Sequence, residues 1–178
     1  SFDIDYLTNF STGGALAGAG VSTDVSTGSD YKALAGLGGG SVVATEGRTR
    51  FAANGSGDIK TKVNSEIYGA GTIGIYSTDV DIDPVNTVEI YGDLTSVRDV
   101  QLFAGLDENL YFDDYDITAR LDSFAGSAIP IDKLDARATL TPANSVTVHS
   151  DADILTSGSA FLWADKVGVG NMLAKAKS

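Results

Sequence analysis

Apolar and polar residues alternate along most of this chain with a period of two, which is the pattern of strands that turn one face inward. In Phe2-Asp3-Ile4-Asp5-Tyr6-Leu7, the side chains of Phe2, Ile4 and Tyr6 share one face, and Asp3 and Asp5 take the other. The same alternation returns in Asp58-Ile59-Lys60-Thr61-Lys62-Val63 and in Val80-Asp81-Ile82-Asp83. Between such runs, Ser11-Thr12-Gly13-Gly14, Ser26-Thr27-Gly28-Ser29-Asp30, Gly38-Gly39-Gly40, Glu46-Gly47 and Asn54-Gly55-Ser56-Gly57 read as corners. Small residues at alternate positions from Ala15 to Val25 suit a strand over a narrow interior, and their glycines count against a helix. From Ser123 to Lys133 the pattern admits a loop that leaves the body or a kinked strand, with Pro130 at an edge or a corner.

Two repeats organise these runs. Glu66-Ile67-Tyr68-Gly69 returns 23 residues later as Glu89-Ile90-Tyr91-Gly92, and Val100-Gln101-Leu102-Phe103-Ala104 then stands where Thr72-Ile73-Gly74-Ile75-Tyr76 stood. A second repeat aligns Asn144–Asp151 with Asn86–Asp93 and, after a two-residue insertion, Ala160–Ala164 with Val100–Ala104. A single coil of short strands cannot bury its own apolar face, so such repeats predict coils stacked on one another. The expected fold is therefore all-β, a parallel β-helix (β-solenoid) over residues 1-178 as one segment. At roughly 20–25 residues per coil it would have about seven or eight coils, and at ~4.8 Å per layer it would be a rod about 35–40 Å long. Ile90 and Val148 are expected inside, Glu89 and Thr147 outside.

Composition narrows the function. The 21 glycines, 3 prolines and 43% hydrophobic content suit an ordered all-β chain. A net charge of −12 repels nucleic-acid phosphate and anionic lipid surfaces, so nucleic acid is excluded as an expected partner. No stretch reaches the roughly 18 apolar residues of a membrane helix. With no cysteine, disulfides, thiolate nucleophiles and Cys-ligated metals are excluded as well.

The successions Gly13–Val21, Lys32–Gly47 and Val146–Gly158 resemble the degenerate repeats of giant exported bacterial proteins, the filamentous-haemagglutinin-like and autotransporter-like β-strand-repeat families. That resemblance implies a right-handed parallel β-helix at the cell surface, an extracellular adhesin stalk, sheath component or filament. The segment 108–133 departs from it. The chain would be part of a longer chain or filament.

Candidate chemistry is sparse. Gly69-Ala70-Gly71-Thr72-Ile73-Gly74 spells a dinucleotide fingerprint, but the β-rich, glycine-interrupted sequence after it denies the helix whose N-terminus such a site needs. It is expected to be a solenoid corner. Asp79, Asp81 and Asp83 project from one strand face, arranged either to bridge calcium or as a solvated acidic flank. Asp107, Glu108, Asp113, Asp114 and Asp116 form a second acidic group, open to a carbohydrate-cleaving reading. His149, Ser150 and Asp151 are neighbours whose strand geometry rules out a triad, and His149 aligns with Tyr91. Phe103 and Trp163 stand at matching repeat positions. No catalytic, cofactor or metal residue is assigned. The expected function is a non-enzymatic structural rod, stalk or filament segment that associates with copies of itself or flanking repeats, with surface polysaccharide as a further partner. A carbohydrate-binding or polysaccharide-cleaving β-helix is the alternative.

Overall fold

The computed structural model describes residues 2–26, 32–106, 114–164 and 168–178. They form fourteen strands and no helix. The first five are β1 (Phe2–Gly13), β2 (Leu16–Ser26), β3 (Lys32–Leu37), β4 (Val42–Thr45) and β5 (Thr49–Ala53). The second coil holds β6 (Ser56–Ile82), β7 (Val85–Ile90), β8 (Asp93–Ser96) and β9 (Val100–Ala104). The third repeats it as β10 (Asp114–Leu140), β11 (Ala143–Val148), β12 (Ile154–Thr156) and β13 (Ala160–Ala164), and β14 (Gly168–Lys177) lies on β10. Every coil-to-coil pairing is parallel, so the chain is a parallel β-helix.

The register corrects the expected coil count. Phe2 pairs with Gly57, Lys32 with Val85, Val43 with Leu94, Ser56 with Asp114 and Val100 with Ala160, separations of 51 to 60 residues. The chain therefore makes about three turns, and at ~4.8 Å per layer they rise only about 10–15 Å. The repeat that carries the true period is the one between Asn86–Asp93 and Asn144–Asp151: Asn144 sits on Asn86 and Val148 on Ile90. The two-residue insertion falls in the corner between β11 and β12, after which Ala160–Ala164 sits on Val100–Ala104.

The 23-residue repeat is a corner motif used twice within one coil. In each copy the isoleucine, Ile67 or Ile90, is fully buried, while the flanking glutamate and tyrosine face outward. Each tyrosine hydroxyl donates to the glutamate two residues before it, Tyr68 to Glu66 and Tyr91 to Glu89, both at 3.2 Å. The glycine that follows is required by the coil beneath. A Cβ on Gly69 would lie 2.4 Å from the Gly14 carbonyl oxygen, and one on Gly92 would lie 2.4 Å from that of Ser41. The same local problem, a chain bending hard over a neighbouring backbone, is solved by the same four residues.

At the first of these corners β6 folds back on itself. Ile59, Thr61, Val63 and Ile67 point inward from odd positions, whereas Thr72, Tyr76, Thr78 and Val80 do so from even ones. The inward parity thus flips across Gly69-Ala70-Gly71, as expected for a corner, and the two arms face each other. Thr61 and Thr78 meet across the interior at 2.8 Å between hydroxyl oxygens. Residues 123–133 are the matching corner of β10, a kinked strand. Pro130 there pairs with Thr72, beyond the stretch Asp114–Asp122 on which β14 lies, so it occupies an edge.

Each coil encloses two interiors. The arms of the long strands enclose one, with Ile59, Val80 and Ile117 towards its open end and Val63, Tyr76 and Leu121 towards the corner. The three short strands enclose the other, around Val88, Ile90, Leu94, Val100 and Leu102. The core is the middle coil together with the first arm of β10, the parts covered on both sides. Leu102 is 0% exposed, and Leu162, its partner on the third coil, is 53% exposed.

Replacing Ile90 by Asp should unfold the protein, with a cost on the order of 4 kcal/mol or more, because an unpaired carboxylate would enter a closed interior. Val148→Asp, in the same column on an outer coil, should cost clearly less, and Glu89→Ser should be mild. Gly92→Ala should lower the melting temperature as much as a core truncation does, since backbone and not a flexible side chain meets the new methyl. Thermal or denaturant melts of the four variants check this ranking.

Candidate functional site

The acidic strand is arranged as expected. Val80 and Ile82 are fully buried, and Asp79, Asp81 and Asp83 lie on the outer flank of β6. The ladder adds neighbours that the linear pattern does not reveal. Asp24 on β2 lies beside Asp79, and Arg137 on β10 lies on its other side, with a guanidinium nitrogen 3.9 Å from the Asp79 carboxylate. Burial, followed by the charges of Asp83, Asp79 and Asp24, raises the Asp81 carboxyl above its ordinary range. Among the described residues, no group of three or more His, Asp or Glu side chains is arranged to hold a metal ion.

Each Glu-Ile-Tyr-Gly corner stands near a shallow groove. One, about 300 Å³, is bounded by Leu34, Gly36, Gly38, Glu89 and Tyr91. The imidazole of His149 stacks on the Tyr91 ring, with centroids 3.6 Å apart and planes 13° from parallel, which bears out the alignment of these two residues. Burial and the hydrogen bond to Glu89 raise the Tyr91 hydroxyl above the usual phenol range. Ser150 and Asp151 lie in the turn after β11, where the Ser150 hydroxyl donates to Asp151 at 3.2 Å while His149 lies on Tyr91. The second groove, about 400 Å³, is apolar, with Leu16, Ile73, Ile129 and Ile131 around Gly18 and Gly71. The glycine-rich sequence at 69–74 thus floors part of an outer groove and turns the chain.

Of the second acidic group, Asp107, Glu108 and Asp113 lie outside the described residues, whereas Asp114 and Asp116 are exposed at the start of β10. Phe103 and Trp163 share a column: Phe103 is 5% exposed and Trp163 is 48% exposed. The Arg50 guanidinium lies 5.5 Å from the centre of the Phe103 ring and donates to Gln101 at 2.8 Å.

Two features went unread in the sequence. Asp132 lies in an inward column, directly over Gly74, and its carboxylate accepts a hydrogen bond from Ser123 at 3.4 Å. Its even-numbered spacing with Leu134, Ala136 and Ala138 was the available signal, obscured by the parity flip at the corner. The salt bridge from Arg137 to Asp79 joins residues 58 positions apart, and the coil period alone could have found it.

No family model matches the chain, and neither a curated protein nor a solved structure matches it.

Asp81 offers a pH test. Its folded-state pKa is raised, so its ionisation weakens the folded state, and that penalty develops as pH rises above the ordinary value of 3.8. Asp81→Asn should therefore raise the melting temperature at neutral pH and leave it unchanged on the acid side of 3.8, where Asp81 is protonated in both states. Paired melts across pH check the sign.

Proposed function

We propose that this chain is a structural segment of an extracellular bacterial surface protein, a stalk or filament unit that associates through its coil edges with copies of itself or with flanking repeats. The observation that carries the proposal is the unequal burial of equivalent columns. Residues closed off in the middle coil have partners on the third coil that stand open, as with Leu102 under Leu162 and Phe103 under Trp163. Another coil laid on that edge would bury them, at about 25 cal/mol per Å² of apolar surface. The strands beneath it would also gain a backbone ladder. Polar residues aligned in the same columns support a stack that can be extended. Asn86 donates to Asn144 at 2.8 Å, Ser77 to Ser22 at 3.0 Å and Ser145 to Thr87 at 3.2 Å.

Carbohydrate recognition is the second reading, favoured by the exposed tyrosine and carboxylate beside the Tyr91 groove. An aromatic face with an adjacent acceptor is a chemistry that suits a sugar ring.

Sedimentation of the 178-residue chain over a range of concentrations, read together with Trp163 emission, tests the structural proposal. Larger species whose formation shifts Trp163 emission to the blue are expected. A monomer at every concentration, with constant emission, would overturn it. Binding of an acidic polysaccharide, lost on Tyr91→Ala, would favour the second reading.

A further inference from the structure

The coil register specifies how a second copy would sit, and this inference rests on the self-association proposed above. Among the described residues, β11, β12 and β13 pair only downward, with β7, β8 and β9, and β2 to β5 pair only upward, with the second coil. The first arm of β10 differs. Asp114–Asp122 carries β14, laid down in parallel. These are the positions that β1 occupies two coils lower in the stack: Asp3 lies in the column of Asp58 and Asp116, and Asn9 in that of Asn64 and Asp122. The strand β1 of an incoming copy, placed in register, would need the edge that β14 holds.

We propose that a second copy of this chain stacks its β2–β5 edge on the β10–β13 edge in the register that the first coil keeps on the second, and that β14 is a latch which must leave β10 before β1 of the incoming copy can pair there.

Charge and shape support this register. It lays Asp24 of the incoming copy over Arg137, which already contacts Asp79 from the other side. Within one chain Asp24 and Asp79 are adjacent like charges, so the column runs acid, acid, base, and the next copy's acid meets the base. In the short-strand region the register lays Leu37 on Val148, Val43 on Ile154 and Phe51 on Leu162, apolar on apolar at these three inward positions. Arg50 would come to lie diagonally over Trp163, as it already lies against Phe103 in the same column. The lysines of β14 do not offer an alternative seat for β1. Lys175 stands in the column of Leu7 and Lys177 in that of Asn9, so neither meets Asp3 or Asp5 in register.

The latch makes a kinetic and thermodynamic prediction. A copy whose accepting edge is free only part of the time binds with an affinity reduced by that fraction. Leu173→Pro with Ala176→Pro should free the edge. The two positions have opposite parity, so at least one of the backbone donors removed faces β10. In the full chain this double variant should assemble at a concentration about tenfold lower than wild type. Arg137→Glu and Asp24→Arg should each weaken assembly, and the two together should restore it to within about a factor of two, whereas independent structural damage would add.

Three outcomes overturn different parts. If no variant assembles at any concentration, the self-association reading itself fails. If assembly occurs but the charge reversals do not cancel, the register is wrong while self-association stands. If the proline variant assembles no more readily than wild type, β14 is not a latch. Sedimentation velocity with Trp163 emission separates the three.

Discussion

Every feature of this molecule depends on the parallel ladder between coils. A parallel pairing places equivalent residues in one column, so the choice of which side chains face inward is made once and inherited by each coil. A slip of one residue would turn Ile59, Thr61 and Val63 outward and put Asp58, Lys60 and Lys62 in the interior. Side-chain ladders oppose that slip. Asn86 with Asn144 in the inner row and Ser22 with Ser77 on the flank hydrogen-bond only when the register is correct. Each contributes about 0.2–1 kcal/mol, but all vanish together on a slip.

The facing arms of the long strands impose a second constraint, because the interior between them is narrow enough for side chains of the two arms to touch. The Tyr76 ring is accommodated because Gly74, two positions before it, has no side chain: a Cβ there would lie 2.5 Å from the ring. The polar bridge between Thr61 and Thr78 becomes Ala119 and Ala136 on the third coil, both partners being replaced at once. That exchange is nearly neutral, whereas losing the Thr61 hydroxyl alone would strand that of Thr78 in a closed interior. On the first coil Thr23, in the column of Thr78, meets instead Thr8, from the column of Val63, at 3.4 Å.

How much of this the sequence disclosed depends on the reach of each signal. Strand faces were legible because alternation is local: Ile59, Val80, Ile82 and Ile90 are all buried, and the glycine-rich corners fall between strands. The parallel stack was legible because repeats of short strands have few other ways to bury a face. The coil length was misjudged because the more conspicuous repeat, Glu66–Gly69 with Glu89–Gly92, answers a corner's need and recurs within a coil. The weaker match of Asn86–Asp93 to Asn144–Asp151 answers to stacking and carries the period. The contact of Arg137 with Asp79 becomes visible only when that period is known, whereas the alignment had already set His149 on Tyr91. The inward Asp132 was hidden by the parity flip at the corner, which no run of alternating residues announces.

The distribution of charge would then act on the direction in which the proposed stack could grow. With a net charge of −12, and with Asp79, Asp81 and Asp83 along one outer flank, two copies approaching side by side would repel each other. The edges are different. The third coil carries Lys133 and Arg137 on its outer side, against Gly20 and Asp24 in the same columns of the first. Repulsion along the flanks and attraction between unlike edges would favour growth of the proposed assembly along the coil axis over lateral sheets. A bare strand edge is otherwise an invitation to unspecific pairing. In the proposed assembly the apolar columns would supply most of the free energy, and the acidic flanks would restrict where it could be gained.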